Sequence, residues 1–245
     1  MYEFSYPIFL LIIILSSFQT IAGIGILVLG TPILILLGLD ILETMFFLLP
    51  LSILNSSINF FYLYKFKRGV SIDISMSKYF FFICLPSVFI GLFFLKKFIS
   101  QINFNLLISF VIWFVLIFSY ISKEKNFSEN LKKIIILVTG LLHGVTNSGG
   151  SLLSLLIVKS YEKGVDYKRF QIIFFYLFLA TFQLVSLIFI FKKEFLDILN
   201  FYYIIAVIIG IFVGNYLISS VNDNHLKNFV SLLALISSIF LFTKY

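Results

Sequence analysis

Gly144-Val145-Thr146-Asn147-Ser148-Gly149-Gly150 interrupts an otherwise apolar run from 134 to 158. A shorter interruption, Gly23-Ile24-Gly25, cuts the run from 7 to 38. Both runs have the length of membrane helices, yet glycine costs about 1 kcal/mol in a helix interior. Backbone freed from a helix inside a bilayer survives only where protein or a wet cavity satisfies it. Paired, glycine-interrupted segments in two halves of a membrane chain point to a transport site.

Six further apolar runs surround these two. The eight segments are 7–38, 44–64, 79–95, 103–122, 134–159, 170–191, 201–220 and 227–243. Short polar loops join them, at 65–69, 96–97, 123–133, 159–169, 192–194 and 222–225. The chain is 61% hydrophobic and 12% charged, with mean hydropathy +1.11. No soluble domain of this size hides so much apolar surface, so the expected fold is an all-α polytopic membrane protein. The runs are too long for the alternating strands of a β-barrel. The expected organisation is a single membrane domain, 1–245, with repeat one at about 7–122 and repeat two at about 134–243. Gly91 and Gly214 match at an offset of 123, and Gly23 falls near Thr146 at the same offset. Gly38-Leu39-Asp40 resembles Gly164-Val165-Asp166 at an offset of 126.

The net charge is +7, carried in the loops, and implies membrane anchoring rather than nucleic-acid binding. Cys84 is alone, so no disulfide framework or thiolate metal site is implied. Charge placement also bears on the two broken segments. If both cross the bilayer, Lys and Arg divide 11 against 7 between the faces; if both are re-entrant, they divide 13 against 5. The positive-inside bias favours re-entrance.

Apart from Lys159 and Lys227 at their edges, the spans carry no Asp, Glu, Lys or Arg, and His143 is the one imidazole at depth. Carboxylate relays of the kind pumps use are absent. An anion can still bind, because a half-helix N-terminus carries about half a positive charge and free N–H donors. Glycines let such amides curl towards it. The candidate substrate-binding residues are therefore Gln19, Gly23, Gly25, Thr31, His143, Asn147, Ser148, Gly149 and Gly150. Gly91, Gly210 and Gly214 read instead as close helix packing. Asn55, Ser56, Ser57, Asn59, Thr181 and Gln183 read as interhelical hydrogen bonding or as path lining. Asp40 and Asp166 read as loop caps, and Pro50 and Pro86 as kinks.

Gly23-Ile24-Gly25-Ile26-Leu27-Val28-Leu29-Gly30-Thr31-Pro32 resembles the glycine-rich signature of the sulfite exporter TauE/SafE family of permeases. Leu37-Gly38-Leu39-Asp40, Lys67-Arg68-Gly69-Val70 and the second cluster, 140–150, continue the resemblance over nearly the whole chain. Ile26 and Leu27 stand where the family usually carries more glycine, and no proline follows the second cluster. The resemblance implies a multi-pass permease of the cell (plasma or inner) membrane. Its partners would be the lipid bilayer and a small sulfur anion such as sulfite or an organosulfonate, with a coupling ion left open. No cofactor, metal or nucleic acid is expected. The competing classes are a membrane-embedded enzyme acting on lipid and a non-transporting scaffold. The first lacks a ligand set or activated nucleophile, since His143 and Ser148 are the sole conceivable pair. The second has little use for two broken helices at depth.

Overall fold

The computed structural model describes residues 5–121, 127–192, 201–218, 235–236 and 238–243. They form an all-α bundle. Most of the predicted last span, 227–243, lies outside the described residues, as do the loops at 193–194 and 222–225. In chain order the helices are α1 (Tyr6–Ala22), α2 (Ile26–Leu36), α3 (Ile41–Phe66), α4 (Ile74–Tyr79), α5 (Leu85–Phe98), α6 (Phe104–Ile121), α7 (Glu129–Thr146), α8 (Gly150–Ser160), α9 (Val165–Phe191) and α10 (Phe201–Leu217). A π turn, Phe80–Cys84, joins α4 to α5 into one rod, Ile74–Phe98. It falls just before Pro86, whose missing N–H and bulky ring disturb the ladder there. α3, this rod and α9 are each long and apolar enough to cross a membrane.

Both glycine-bearing segments are broken, and each folds back on itself. At the first break Gly23 takes the left-handed conformation (φ 77°) and its N–H bonds the carbonyl of Gln19. Glycine closes a helix this way without a Cβ penalty. α2 then returns along α1, so that a Cβ on Gly30 would lie 3.1 Å from Leu15 Cδ1. In a continuous helix residues 15 and 30 would stand about 22 Å apart. Tyr203 of α10 ties the start of this hairpin to α3. Its hydroxyl accepts from the N–H of Ser5 at 3.2 Å, and its ring sits 5.0 Å from that of Phe47 in α3.

The second hairpin is built alike. Asn147 occupies the left-handed position (φ 62°), its N–H bonding the carbonyl of His143. Lys133, near the start of α7, lies 5.0 Å over the Tyr79 ring, while Tyr161, just after α8, donates to Asp73 Oδ2 at 2.9 Å. Asp73 and Tyr79 flank the same short helix, α4, so both ends of α7–α8 meet one end of the bundle. α2 and α8 have 11 residues each, about 16 Å, or half the hydrocarbon thickness.

α1 packs on α10, α7 on α5, and α3 on α9. The first two contacts use small residues in matching ways. A Cβ on Gly91 would lie 2.5 Å from the Leu141 carbonyl oxygen, and one on Gly214 would lie 2.8 Å from that of Ser17. Gly210 faces Ser16, and Gly140 faces Ser87. Hydroxyls add to the first interface, where Ser16 Oγ donates to the Val207 carbonyl at 2.8 Å and Ser17 Oγ to that of Gly210 at 3.0 Å. These glycines allow backbones to approach closely, as packing in lipid requires.

Two details differ from the sequence reading. Gly23 corresponds in conformation to Asn147, an offset of 124, rather than to Thr146. Asp40 and Gly164 both stand at N-caps, so the offset there is also 124, not 126. Asp40 closes a capping box with Glu43, accepting from the Glu43 N–H at 2.7 Å. Asp166 instead sits inside the first turn of α9 and pairs with Lys67 at 3.1 Å.

Candidate functional site

The second break meets α2 in the bundle interior. Asn147 Nδ2 donates to Thr31 Oγ1 at 2.9 Å, joining the second break to α2. α2 and α8 also touch. Gln19, Thr31, His143, Asn147 and Ser148 are all buried.

Around the first break the polar groups are consumed by the protein. Gln19 Nε2 donates to the Ser52 carbonyl (3.1 Å), Ser52 Oγ (3.1 Å) and Ser56 Oγ (2.9 Å). Its Oε1 accepts from the N–H of Ile26, the first residue of α2, at 3.1 Å. One of the donors expected to face an anion at this helix end is therefore already occupied. A Cβ on Gly25 would meet Gln19 N and Leu15 O, each at 2.7 Å, and one on Gly23 would meet Ile172 of α9. Both glycines lie in tight backbone contacts.

The second break is less complete. His143 stands where Gln19 stands in the first half, 124 positions on. Neither of its ring nitrogens has a hydrogen-bond partner, and neither do Asn147 Oδ1, Thr139 Oγ1 and Gln183 Oε1. Unpaired polar atoms in a buried site cost about 1–3 kcal/mol each. Gln183 Nε2 is used, donating to the His143 carbonyl at 2.9 Å. Ser148 Oγ donates to the Thr146 carbonyl at 3.1 Å, and Ser148 O accepts from Ser151 Oγ at 2.9 Å. Gly149 lies against Thr139 and His143, and Gly150 against the ring of Tyr176. Tyr176, fully buried and 6.3 Å from the His143 ring, is a neighbour the sequence did not single out. Nothing in its apolar surroundings distinguishes it from a lipid-facing tyrosine until α9 is packed.

A polar seam leaves this centre along α1 and α3. Asn55 Nδ2 donates to Ser16 Oγ at 2.7 Å, and Asn59 Nδ2 donates to Thr20 Oγ1 at 3.1 Å and Asn55 Oδ1 at 3.0 Å. Asn59 Oδ1 in turn accepts from Arg169 Nη2 at 3.3 Å. Asn55, Ser56 and Asn59 thus serve as interhelical hydrogen-bonders. Arg169 is a correction to the sequence reading, which left it in the 159–169 loop. α9 begins at Val165, before the apolar run, so Arg169 lies within the helix and is only 3% exposed.

A profile of the sulfite exporter TauE/SafE family matches residues 8–241. The chain belongs to this family. TauE/SafE proteins are membrane transporters, which agrees with a helical bundle built on spans of membrane length. The match covers all but the first two residues of α1 and every other helix named above. No curated protein matches the chain, and no solved structure does. The TauE/SafE match therefore carries the class of the protein, while the geometry of the breaks carries the reading of its site.

Proposed function

We propose that this chain is a secondary transporter of small oxyanions, sulfite or an organosulfonate, in the cell membrane. Its site is the second break, at the N-terminus of α8, where Gly149 and Gly150 adjoin Asn147, Ser148 and His143. The observation that carries this reading is the Asn147–Thr31 contact, which sets the second break against α2, the short helix that follows the first break. Unpartnered polar atoms on His143, Asn147 and Gln183 support it. A helix N-terminus contributes up to about 2 kcal/mol to a partly buried anion. Desolvating the ion costs several kcal/mol. Side-chain donors must therefore supplement the helix end, and Asn147 and His143 stand where they are needed.

The hairpins are re-entrant in this reading, entering and leaving the bilayer by one face, and the two halves form inverted repeats. The return of α2 along α1 at Gly30 and Leu15 and the shared end of α7–α8 at Asp73 and Tyr79 support it. The site residues are enclosed. Exchange with either side requires the halves to move.

Sulfite flux into proteoliposomes tests the reading. Asn147→Leu abolishes uptake, whereas Phe189→Leu, on a surface 75% exposed, leaves it intact. Gly91→Ala is unsuitable as the silent control, because its new Cβ would press on the Leu141 carbonyl. Uptake unchanged in Asn147→Leu would overturn the assignment of the site.

A further inference from the structure

A cavity of about 670 Å³ opens at the bundle end where α3 stops and α9 starts. Its lining brings four cations together, Lys67, Arg68, Lys163 and Arg169, against one carboxylate, Asp166. Three of the cations are loop or helix-end residues. Arg169 is different: it is 3% exposed and, among the described residues, forms no ion pair. Nη2 reaches only the neutral carbonyls of Asn59 (3.3 Å) and Asn215 (3.5 Å), and Nε has no partner. Asp166 attracts the guanidinium from beyond ion-pair distance, while its carboxylate pairs with Lys67 at 3.1 Å.

A guanidinium taken out of water needs a partner for its remaining donors. Its planar fork matches a carboxylate, sulfonate or phosphate oxygen pair. Low-dielectric walls lined by one sign of charge also concentrate counter-ions. The matching position in the first half carries no cation. Met45 occupies the place 124 positions before Arg169, with its sulfur 3.9 Å from Gln183 Nε2 where Arg169 faces Asn59.

We propose that this cavity is a second oxyanion site, a vestibule in which Arg169 receives a small solute anion before it reaches the helix breaks. The inference deepens the transport reading above and rests on it. The polar seam Arg169–Asn59–Asn55–Thr20 leads inward from the cavity along α1 and α3. An oxyanion group also occurs on anionic lipid headgroups. A solute is favoured because the deepest donor faces the polar seam rather than the apolar outer surface.

The test is calorimetric titration of sulfite into the full chain, held in nanodiscs of phosphatidylcholine. Arg169→Gln weakens sulfite binding about tenfold or more, and Arg169→Lys weakens it less, because charge is kept and the fork is lost. The exposed Lys163→Gln weakens it about two- to threefold through the field alone, which guards against misfolding of the Arg169 variants. Sulfite affinity unchanged in both Arg169→Gln and Lys163→Gln overturns the vestibule. If Asn147→Leu alone abolishes binding, the vestibule fails while the central site stands. If Arg169→Gln abolishes binding and Asn147→Leu does not, the vestibule stands and the central site fails. A second arm replaces the lipid with phosphatidylglycerol. Arg169-dependent retention of that lipid, with sulfite excluded, assigns the cavity to a headgroup and overturns the solute reading.

Discussion

Asn147 separates the role of an amide from the role of a helix break, because it performs both. Its backbone is left-handed, a conformation that costs a residue such as leucine about 1–2 kcal/mol. Its Nδ2 holds Thr31, and losing that bond while leaving Thr31 Oγ1 buried costs about 1–3 kcal/mol. Leucine also carries a branched apolar group into a fully enclosed position, adding about 1–3 kcal/mol of overpacking. Asn147→Leu should therefore destabilise by about 3–8 kcal/mol. Asn147→Gly keeps the left-handed turn without strain and adds no bulk, so its cost is the Thr31 bond alone, about 1–3 kcal/mol. The two variants should differ clearly in thermal unfolding in detergent, yet both should fail to carry sulfite in proteoliposomes. A folded Asn147→Gly protein that transports at the unaltered rate would refute the reasoning, since the amide would then serve only to hold the break.

Gln19 and His143 occupy matching places with opposite hydrogen-bond standing, so Gln19→Leu should destabilise by about 2–4 kcal/mol, as Ile26 N–H, Ser52 and Ser56 lose their partner. His143→Leu should cost less than about 1 kcal/mol, because neither ring nitrogen has a bond to lose, while sulfite flux falls; thermal melts and flux assays check the pair. Gly91→Ala and Gly214→Ala should each lower stability by about 1–3 kcal/mol, because the new methyl meets backbone that cannot swing aside. Lys67→Ala should change stability by less than about 1 kcal/mol, since both partners of its ion pair are about 40% exposed; a larger loss in the melting profile would contradict this. Single cysteines at positions 40 and 165 should label from opposite faces, because α3 and α9 run antiparallel between opposite ends of the bundle.

Hydropathy is a sum over neighbours along the chain, so the membrane class and the apolar segments were legible in the sequence. The two breaks were legible for the same reason: Gly23-Ile24-Gly25 and the 144–150 stretch disfavour helix locally, whatever surrounds them. Asn147 and Thr31 could be chosen as polar residues at depth, but their meeting could not, since 116 positions separate them. Gly91 and Gly214 were readable as packing residues because a missing side chain has few other uses in lipid. Tyr176 and Arg169 were not readable as neighbours of any site. One looks like any other aromatic in an apolar run, and the other lies beyond the edge of one.

Local chemistry thus determined that helices stop at residues 23 and 147, since a left-handed cap and the cost of glycine act over a few residues. Only the tertiary structure decided that each short helix returns towards its starting end and that α3 and α9 bring Lys67, Asp166 and Arg169 around one cavity. Those outcomes depend on which surfaces pack across more than a hundred residues of chain. A hydrophobic segment carries no record of its neighbour, because in lipid any apolar face is equally at ease until small residues let two backbones touch.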